Sequence, residues 1–336
     1  MLQPDSVSHP AINKVAVCSG QRVNSKAVRQ IKKEEIMKCL ILYILIFSSL
    51  LSFLSCNNDN IVVEPEKTFQ SEGNIWIPTA MWPDTGNSTH YVSLEDIVVN
   101  SNDDIFVATD FAGVFKTSDQ GLNWETVNDG LIKTGANIDT NCFVSALTNL
   151  NNDIFCGNSD LSTMGGIYCL KNSEEKWIPK IVWNKYTNIT TLENNNNGEI
   201  FAGCYYGLYI SKDGGNNWSD ISNGLNWDSL TYVYSIAFDS KASVYICTRN
   251  GIYLSDDDGE SWSLIGLNSE AVLSIAINSK DEIFVSLENS RIMFSEDRGS
   301  HWKEILNLES INIRHLFINL DDLIFLSTSN GIAVIQ

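Results

Sequence analysis

Four octapeptides place an acidic residue, a glycine and a tryptophan at the same spacing, and a turn of this kind could do chemistry. A carboxylate in a tight turn can bind a metal ion, serve as a catalytic acid, or accept hydrogen bonds from N–H groups of the turn itself. The four are TSDQGLNW (117–124), SKDGGNNW (211–218), SDDDGESW (255–262) and SEDRGSHW (295–302). Their recurrence favours the structural role, because a periodic motif is the mark of a repeat architecture.

The octapeptide belongs to a longer repeat. Asp213, Asp257 and Asp297 are 44 and 40 residues apart, and the 94 residues from Asp119 to Asp213 leave room for a degenerate copy, LKNSEEKW at 170–177. Three short apolar runs precede each copy, with Asn, Asp, Gly and Ser turn signals between them. Four short strands in ~40–45 residues are typical of one propeller blade.

The sequence therefore predicts an all-β fold, a six-bladed β-propeller of four-stranded antiparallel blades. The second apolar run occurs six times, from DIFVAT (104–109) to LIFLST (323–328). The sixth unit stops at GIAVIQ, before its octapeptide and fourth strand. WIPTAMW (76–82) matches WIPKIVW (177–183), a fourth strand, so we expect an N-terminal strand beginning at Trp76 to join the last blade and close the ring.

One column of the second run contains small residues throughout, which predicts close packing between neighbouring blades. The column is Ala108, Gly157, Gly203, Cys247, Ser286 and Ser327.

The octapeptide resembles the Asp-box, or BNR, repeat of sialidases and other β-propeller proteins, over residues 76–336. The resemblance implies that each box lies between the third and fourth strands, at the end of the propeller away from the ligand. Its residues are then structural, with Gly in a positive-φ turn, Asp accepting N–H groups and Trp buried against the hairpin. They are Asp119, Gly121, Trp124, Asp213, Gly215, Trp218, Asp257, Gly259, Trp262, Asp297, Gly299 and Trp302. Calcium binding and catalysis by the box aspartates are the alternatives.

The N-terminal region predicts export. The apolar run LILYILIFSSLLSFLS (40–55) suits a signal-peptide core, and Cys56 after it resembles a lipobox cysteine. We expect an extension upstream of the true start at 1–36, a lipoprotein signal at 37–56, a flexible tether at 57–73 and the propeller at 74–336. Lipid attached to Cys56 would hold the protein in a bacterial cell envelope, at the outer membrane or cell surface; a plain secretory signal is the alternative.

Composition excludes several classes of function. The net charge of −19 opposes nucleic-acid binding. The cysteines beyond Cys56 have no CxxC spacing and lie mostly in apolar runs, so we expect buried free thiols and no metal site. No dinucleotide, P-loop or HExxH motif is present, and we expect no cofactor and a monomer.

Three arginines map to the upper end of the propeller, which we define as the end opposite the boxes. Arg249, Arg291 and Arg314 follow one another on three blades and could together hold a carboxylate or sulfate. The alternative is that each pairs with a local acid. Sialidases use an arginine triad with an acid and a Tyr/Glu nucleophile, but the Arg-Ile-Pro motif of that family is absent. Candidate partners for catalysis are Glu95, Asp96, Asp110 and Tyr205, with Tyr206, Glu288 and His315 at the same end.

Aromatic residues supply a second candidate site. Trp227 and Tyr232 map to upper-end loops, where aromatic rings beside polar side chains suit stacking on sugars. Trp82 and Trp183 share the WIP…W spacing, which also fits a scaffold role. The prediction is thus a propeller that binds a glycan or an envelope protein through Arg249, Arg291, Arg314, His315, Trp227 and Tyr232. The alternatives are a sialidase-like glycoside hydrolase and an assembly or adhesion factor.

Overall fold

The computed structural model describes residues 15–17, 94–110, 112–131, 142–158, 165–182, 188–205, 207–225, 232–308, 313–319, 322–328 and 331–335. These residues form 24 β-strands and contain no helix, and so no helix that could cross a membrane. Cys56, the signal at 37–56 and the tether at 57–73 lie outside the described residues, and those expectations stay predictions.

The strands form antiparallel sheets of four, each built from consecutive strands except the last. The first described strand is β1 (Val15–Val17). The first sheet is β2 (Leu94–Val99), β3 (Ile105–Thr109), β4 (Gly113–Thr117) and β5 (Glu125–Thr126). The second is β6 (Val144–Leu150), β7 (Asp153–Asn158), β8 (Gly166–Leu170) and β9 (Ile178–Val182). The third is β10 (Ile189–Asn194), β11 (Ile200–Cys204), β12 (Gly207–Ser211) and β13 (Ser219–Asp220).

The remaining sheets follow the same order. The fourth is β14 (Val233–Phe238), β15 (Val244–Thr248), β16 (Gly251–Ser255) and β17 (Ser263–Gly266). The fifth is β18 (Val272–Ile277), β19 (Ile283–Leu287), β20 (Arg291–Ser295) and β21 (Lys303–Asn307). The sixth is β22 (Ile313–Ile318), β23 (Ile324–Thr328) and β24 (Gly331–Ile335), with β1 paired to β24. We call the four positions in each sheet inner, second, third and outer.

Consecutive sheets pack face to face around their inner strands. The inner strands are in contact in the order β2, β6, β10, β14, β18 and β22. Apolar clusters fill the five spaces between consecutive sheets, as Phe201, Leu208, Val233 and Ile246 do between the third and fourth. The described residues show no comparable packing of β22 against β2. Residues 76–82 lie outside the described part, and the strand that pairs with β24 is β1, from the region 1–36 that was expected to be an extension. Closure of a six-bladed ring by the stretch beginning at Trp76 therefore stays a prediction.

The second strands form the buried centre of each sheet. All five residues of β3, β11, β15 and β19 are buried, as continuous apolar runs of this length predict. The small-residue column lies where the second strand meets the inner strand of the next sheet. A Cβ on Gly157 would lie 2.3 Å from Ile189 Cγ2, and one on Gly203 would lie 2.9 Å from Val233 Cβ, each on the inner strand of the next sheet. Close approach between sheets therefore explains the small side chains.

Every inner strand has a bulge at the same place, and polar side chains there connect neighbouring sheets. The Ser145 hydroxyl donates to Ile189 O, and the Thr190 hydroxyl donates to Val233 O. One position further on, Asp96 accepts Leu147 N–H at 2.7 Å and Ser274 accepts Leu316 N–H at 3.0 Å. The bulges thus join the inner strands to each other.

The boxes lie between the third and outer strands, and their hydrogen bonds are local. In the third copy, Asp257 Oδ1 accepts the Ser255 hydroxyl at 2.7 Å and Ser261 N–H at 2.9 Å, while Gly259 N–H donates to Ser255 at 2.8 Å. The other three boxes repeat these bonds. The box glycines have φ between 80° and 88°, a region that glycine adopts without strain.

The box tryptophans reach further than the hairpin on which they were expected to pack. The Trp262 indole donates to Ile221 O at 2.8 Å and the Trp302 indole donates to Ile265 O at 3.2 Å, and both acceptors belong to the preceding sheet. Trp177 of the degenerate copy is 1% exposed and donates to Val127 O of the first sheet. Trp218 instead bonds within its own turn, to Gly215 O. The indole is long enough to cross the gap between sheets, so the box is an inter-sheet joint as well as a turn.

Candidate functional site

The upper end of the third, fourth and fifth sheets brings several of the predicted site residues together. Tyr205 follows the second strand of the third sheet and forms an isolated antiparallel bridge with Tyr232, which precedes the inner strand of the fourth sheet. Tyr234 is two residues further along, at the bulge. Arg249 and Glu288 occupy the second-to-third turns of the fourth and fifth sheets, where both are exposed. We call these five residues the tyrosine–arginine cluster.

The three tyrosines form one aromatic group. The Tyr205 and Tyr232 rings have centroids 4.1 Å apart at an interplanar angle of 63°, and the Tyr232 and Tyr234 rings lie 5.9 Å apart at 42°. All three side chains are half-buried, which leaves part of each ring open to solvent. Half-buried tyrosines present an apolar ring and a polar hydroxyl together, a combination enriched at binding surfaces.

Charged groups of opposite sign flank these rings. Partial burial raises the pKa of Tyr234, the Arg249 guanidinium opposes that rise, and the Glu288 carboxylate adds to it. Both charges therefore act on the same phenol. Among the described residues Arg249 forms no ion pair or hydrogen bond through its guanidinium, and Glu288 forms no ion pair.

Of the other two predicted arginines, Arg291 does not join this cluster in the described structure. Arg291 forms an ion pair with Glu270 and lies 3.5 Å from Glu304 on the outer strand of its own sheet. Local acids therefore occupy the Arg291 guanidinium. Arg314 and His315 are on the inner strand β22, where His315 is exposed; the Arg314 side chain lies outside the described residues.

The candidate catalytic acids are divided between two places. Asp110 is half-buried in the second-to-third turn of the first sheet. Glu95 and Asp96 are on the inner strand β2, and both oxygens of Asp96 accept backbone N–H groups, from Ile97 and Leu147 at 2.7 Å. Desolvation nevertheless raises the pKa of Asp96 to about 7, with the Glu95 charge adding to the rise.

A second inner-strand acid was not predicted from the sequence. The Glu193 side chain is exposed on β10, and desolvation together with the charge of Asp96 raises its pKa to about 8. The two carboxylates thus interact from the first and third sheets. Sequence contained a signal for Glu193, because its column otherwise holds Val98, Thr148, Ala237, Ala276 and Phe317. Tyr234 has a similar signal, as the one aromatic at the bulge positions.

Several predicted residues lie outside the described part of the chain. These are Tyr206 and Trp227, with Trp82 and Trp183, and their roles stay predictions.

The remaining chemistry of the described residues is structural. The five cysteines Cys142, Cys156, Cys169, Cys204 and Cys247 are buried thiols outside any disulfide of the described chain, as predicted. Within the part of the chain that the structure describes, no group of three His, Cys, Asp or Glu side chains is arranged to hold a metal ion. The box aspartates are held ionised: bonds led by His301 lower the pKa of Asp297 to about 2, and bonds led by Ser261 lower that of Asp257.

Comparisons with known proteins agree with this architecture. The family model Sortilin-Vps10 (sortilin, neurotensin receptor 3) matches residues 206–328, and no curated protein matches the chain. PorZ, an essential bacterial surface component of the type-IX secretion system of Porphyromonas gingivalis, is 16% identical with a TM-score of 0.58, over 75% of this chain and 40% of PorZ. An ancestral GH74 enzyme is 17% identical with a TM-score of 0.56, over 69% of this chain and 34% of that enzyme.

A third similar structure is the extracellular domain of the hybrid two-component system BT4673 from B. thetaiotaomicron. It is 14% identical with a TM-score of 0.51, over 72% of this chain and 38% of that domain. The chain therefore spans 34% to 40% of the length of these three structures. At such identities the likeness concerns the fold alone: this is an all-β protein of repeated four-stranded antiparallel sheets with the fold of β-propeller proteins.

Proposed function

We propose that this chain is a lipid-anchored β-propeller of the bacterial cell envelope that recognises a glycan or protein partner at the tyrosine–arginine cluster. The observation that carries the proposal is Arg249, an exposed guanidinium without an ion pair among the described residues, beside three half-buried tyrosines. In a chain of net charge −19, with Arg291 and Arg298 held by acids, a guanidinium that pairs with no acid of the described ranges suits an anionic ligand.

The scaffold supports recognition without turnover. Sheets joined by bulge contacts and boxes provide a rigid frame, and the exposed second-to-third turns carry the variable side chains. A six-bladed closed ring, anchorage through Cys56 and a monomeric state complete the proposal. The extracellular or surface location of two similar proteins is compatible with an envelope position.

The test is a binding and hydrolysis panel with the full chain. Sialylated, sulfated, uronate-containing and neutral glycans, and an envelope-protein extract, would be scored for both binding and released sugar. We expect binding without release, lost in Tyr232→Ala and weakened in Arg249→Ala. Lys241→Ala, which removes an exposed charge near the lower end, is the matched control. Binding that survives both cluster variants would overturn the proposal.

A glycoside hydrolase is the second candidate, because two interacting inner-strand carboxylates have raised pKa values. Asp96 with a pKa of about 7 and Glu193 with a pKa of about 8 are in the range of general acids. If the panel released sugar, Glu193→Gln and Asp96→Asn should each abolish that release while leaving binding in place. Release that survives both variants would exclude this candidate.

A further inference from the structure

We infer, on the basis of the proposed function, that the tyrosine–arginine cluster selects a hexuronic acid residue set among neutral sugars. The inference depends on three different groups within one cluster: half-buried aromatic rings, and a guanidinium and a carboxylate that form no ion pair within the described part of the chain. Each has a counterpart on a uronic acid, which has an apolar ring face, a carboxylate and several hydroxyls.

The rings supply the sugar-binding surface. Because Tyr205 and Tyr232 meet nearly edge to face, they present an angled surface rather than a flat stack, and a single pyranose ring can lie against one tyrosine while its edge contacts the next. Tyr234 extends the same group towards the charged turns.

Arg249 supplies the anion specificity. An arginine can bind a carboxylate through two parallel N–H bonds, and this one is not engaged by an acid among the described residues. A neutral sugar would cover the guanidinium without pairing it, whereas a uronate would neutralise it.

Glu288 and the net charge of the chain favour a ligand with a single negative charge. The Glu288 carboxylate can accept bonds from sugar hydroxyls but repels a second anionic group. A net charge of −19 likewise opposes a polyanion, so a polyuronate or an acidic peptide fits less well than one isolated uronate.

The experiment compares matched oligosaccharides that differ in one group. Calorimetric titration of the full chain would use a glucuronic-acid-terminated neutral oligosaccharide, the same oligosaccharide ending in glucose, a sialylated analogue, polygalacturonate and an acidic peptide. We expect the uronate to bind about tenfold more tightly than its glucose counterpart, and more tightly than the sialylated and polyanionic ligands. In Arg249→Ala this preference should disappear, Arg249→Lys should restore part of it, and Glu288→Gln should weaken the sugar ligands but improve polygalacturonate.

The outcomes separate this inference from the function on which it rests. Equal binding of the uronate and glucose ligands, lost in Tyr232→Ala, would overturn the uronate inference and leave glycan recognition in place. Binding of the acidic peptide alone, lost in the same variant, would overturn the inference and identify a protein partner. Binding of any ligand that neither Tyr232→Ala nor Arg249→Ala alters would overturn both. Because Arg249 is exposed in a turn, its variants test specificity without disturbing the core.

Discussion

The box aspartates, whose type and spacing first suggested chemistry, have a structural role. Each box carboxylate accepts N–H and side-chain bonds from its own turn, so its lone pairs are occupied. Those bonds favour the ionised form, which is the opposite of what a general acid requires.

The residue prediction concerns Asp257. Replacing it by alanine leaves Ser261 N–H and the Ser255 hydroxyl without their acceptor, and we expect the free energy of unfolding to fall measurably. Glu260→Ala, an exposed change in the same turn, should alter it by less than about 0.5 kcal/mol. Urea denaturation of both variants is the measurement, and equal effects would contradict the structural role.

The place of a residue in the fold can be predicted from the sequence where that residue recurs in every repeat. The box residues recur in step, so their place between strands could be read directly. Tyr234 and Glu193 occupy columns whose other members differ in type, and their proximity to Arg249 and Asp96 depends on how the sheets pack. From the sequence, pairing of Arg291 with a local acid was one of two alternatives. Its partners could not be named, because Glu270 is 21 residues away and Glu304 is on another strand.

At the scale of elements, the contacts between sheets are more specific than the strand pattern indicated. At the lower end, Ser240 donates to Asp281 and Ser279 donates to Asp322, each reaching the next sheet through backbone and hydroxyl. Arg298, in the fifth-sheet box, reaches back to Asp239, Ser243 and Asp256 of the fourth sheet. The repeat in the sequence predicts the strands, whereas these contacts between sheets can be identified only in the folded structure.

Arg298 gives the first element prediction. Its removal would leave the buried carboxylate of Asp239, 2% exposed and 3.2 Å from the guanidinium, without its charged partner. We expect Arg298→Ala to lower the free energy of unfolding by about 3 kcal/mol, and Arg298→Lys to recover part of the loss. Arg249→Ala is the matched control and should leave stability nearly unchanged. Thermal unfolding is the measurement, and equal stability of the Arg298→Ala and Arg249→Ala variants would contradict the prediction.

Gly157 gives the second prediction at the scale of elements. An alanine there would place its Cβ 2.3 Å from Ile189, in the space between the second and third sheets. We expect Gly157→Ala to cost about 1–3 kcal/mol of stability, and the added Ile189→Ala change to remove much of the clash. A double-mutant cycle with no coupling between the two positions would contradict this packing.

At the scale of the whole molecule, two inner-strand acids link stability to pH. The folded chain holds protons on Asp96 up to about pH 7 and on Glu193 up to about pH 8, whereas the unfolded chain releases them near 3.8 and 4.5. The folded state therefore binds more protons between these limits, and the stability that they contribute is lost as pH rises through 7 and 8.

We therefore expect unfolding to require less denaturant at pH 8 than at pH 5.5. Asp96→Asn and Glu193→Gln should each reduce that difference, since the substituted amide has no proton to lose. Glu260→Gln removes one exposed negative charge from a box turn and controls for net charge, which also opposes compactness as pH rises. An unchanged pH difference in both inner-strand variants would show that these acids do not govern it.

The degenerate second copy shows what a unit can lose. It has Asn172 and Glu174 where the others have Asp and Gly, yet Trp177 is kept, buried, and bonded to the sheet before it. Since Trp177, Trp262 and Trp302 each bond to the preceding sheet, a duplicated unit of this kind already encodes the tryptophan by which it docks. A gene of this kind can lengthen by tandem duplication. We then expect later substitutions to change the Asp and Gly of the box turn before the tryptophan that bonds to the preceding sheet.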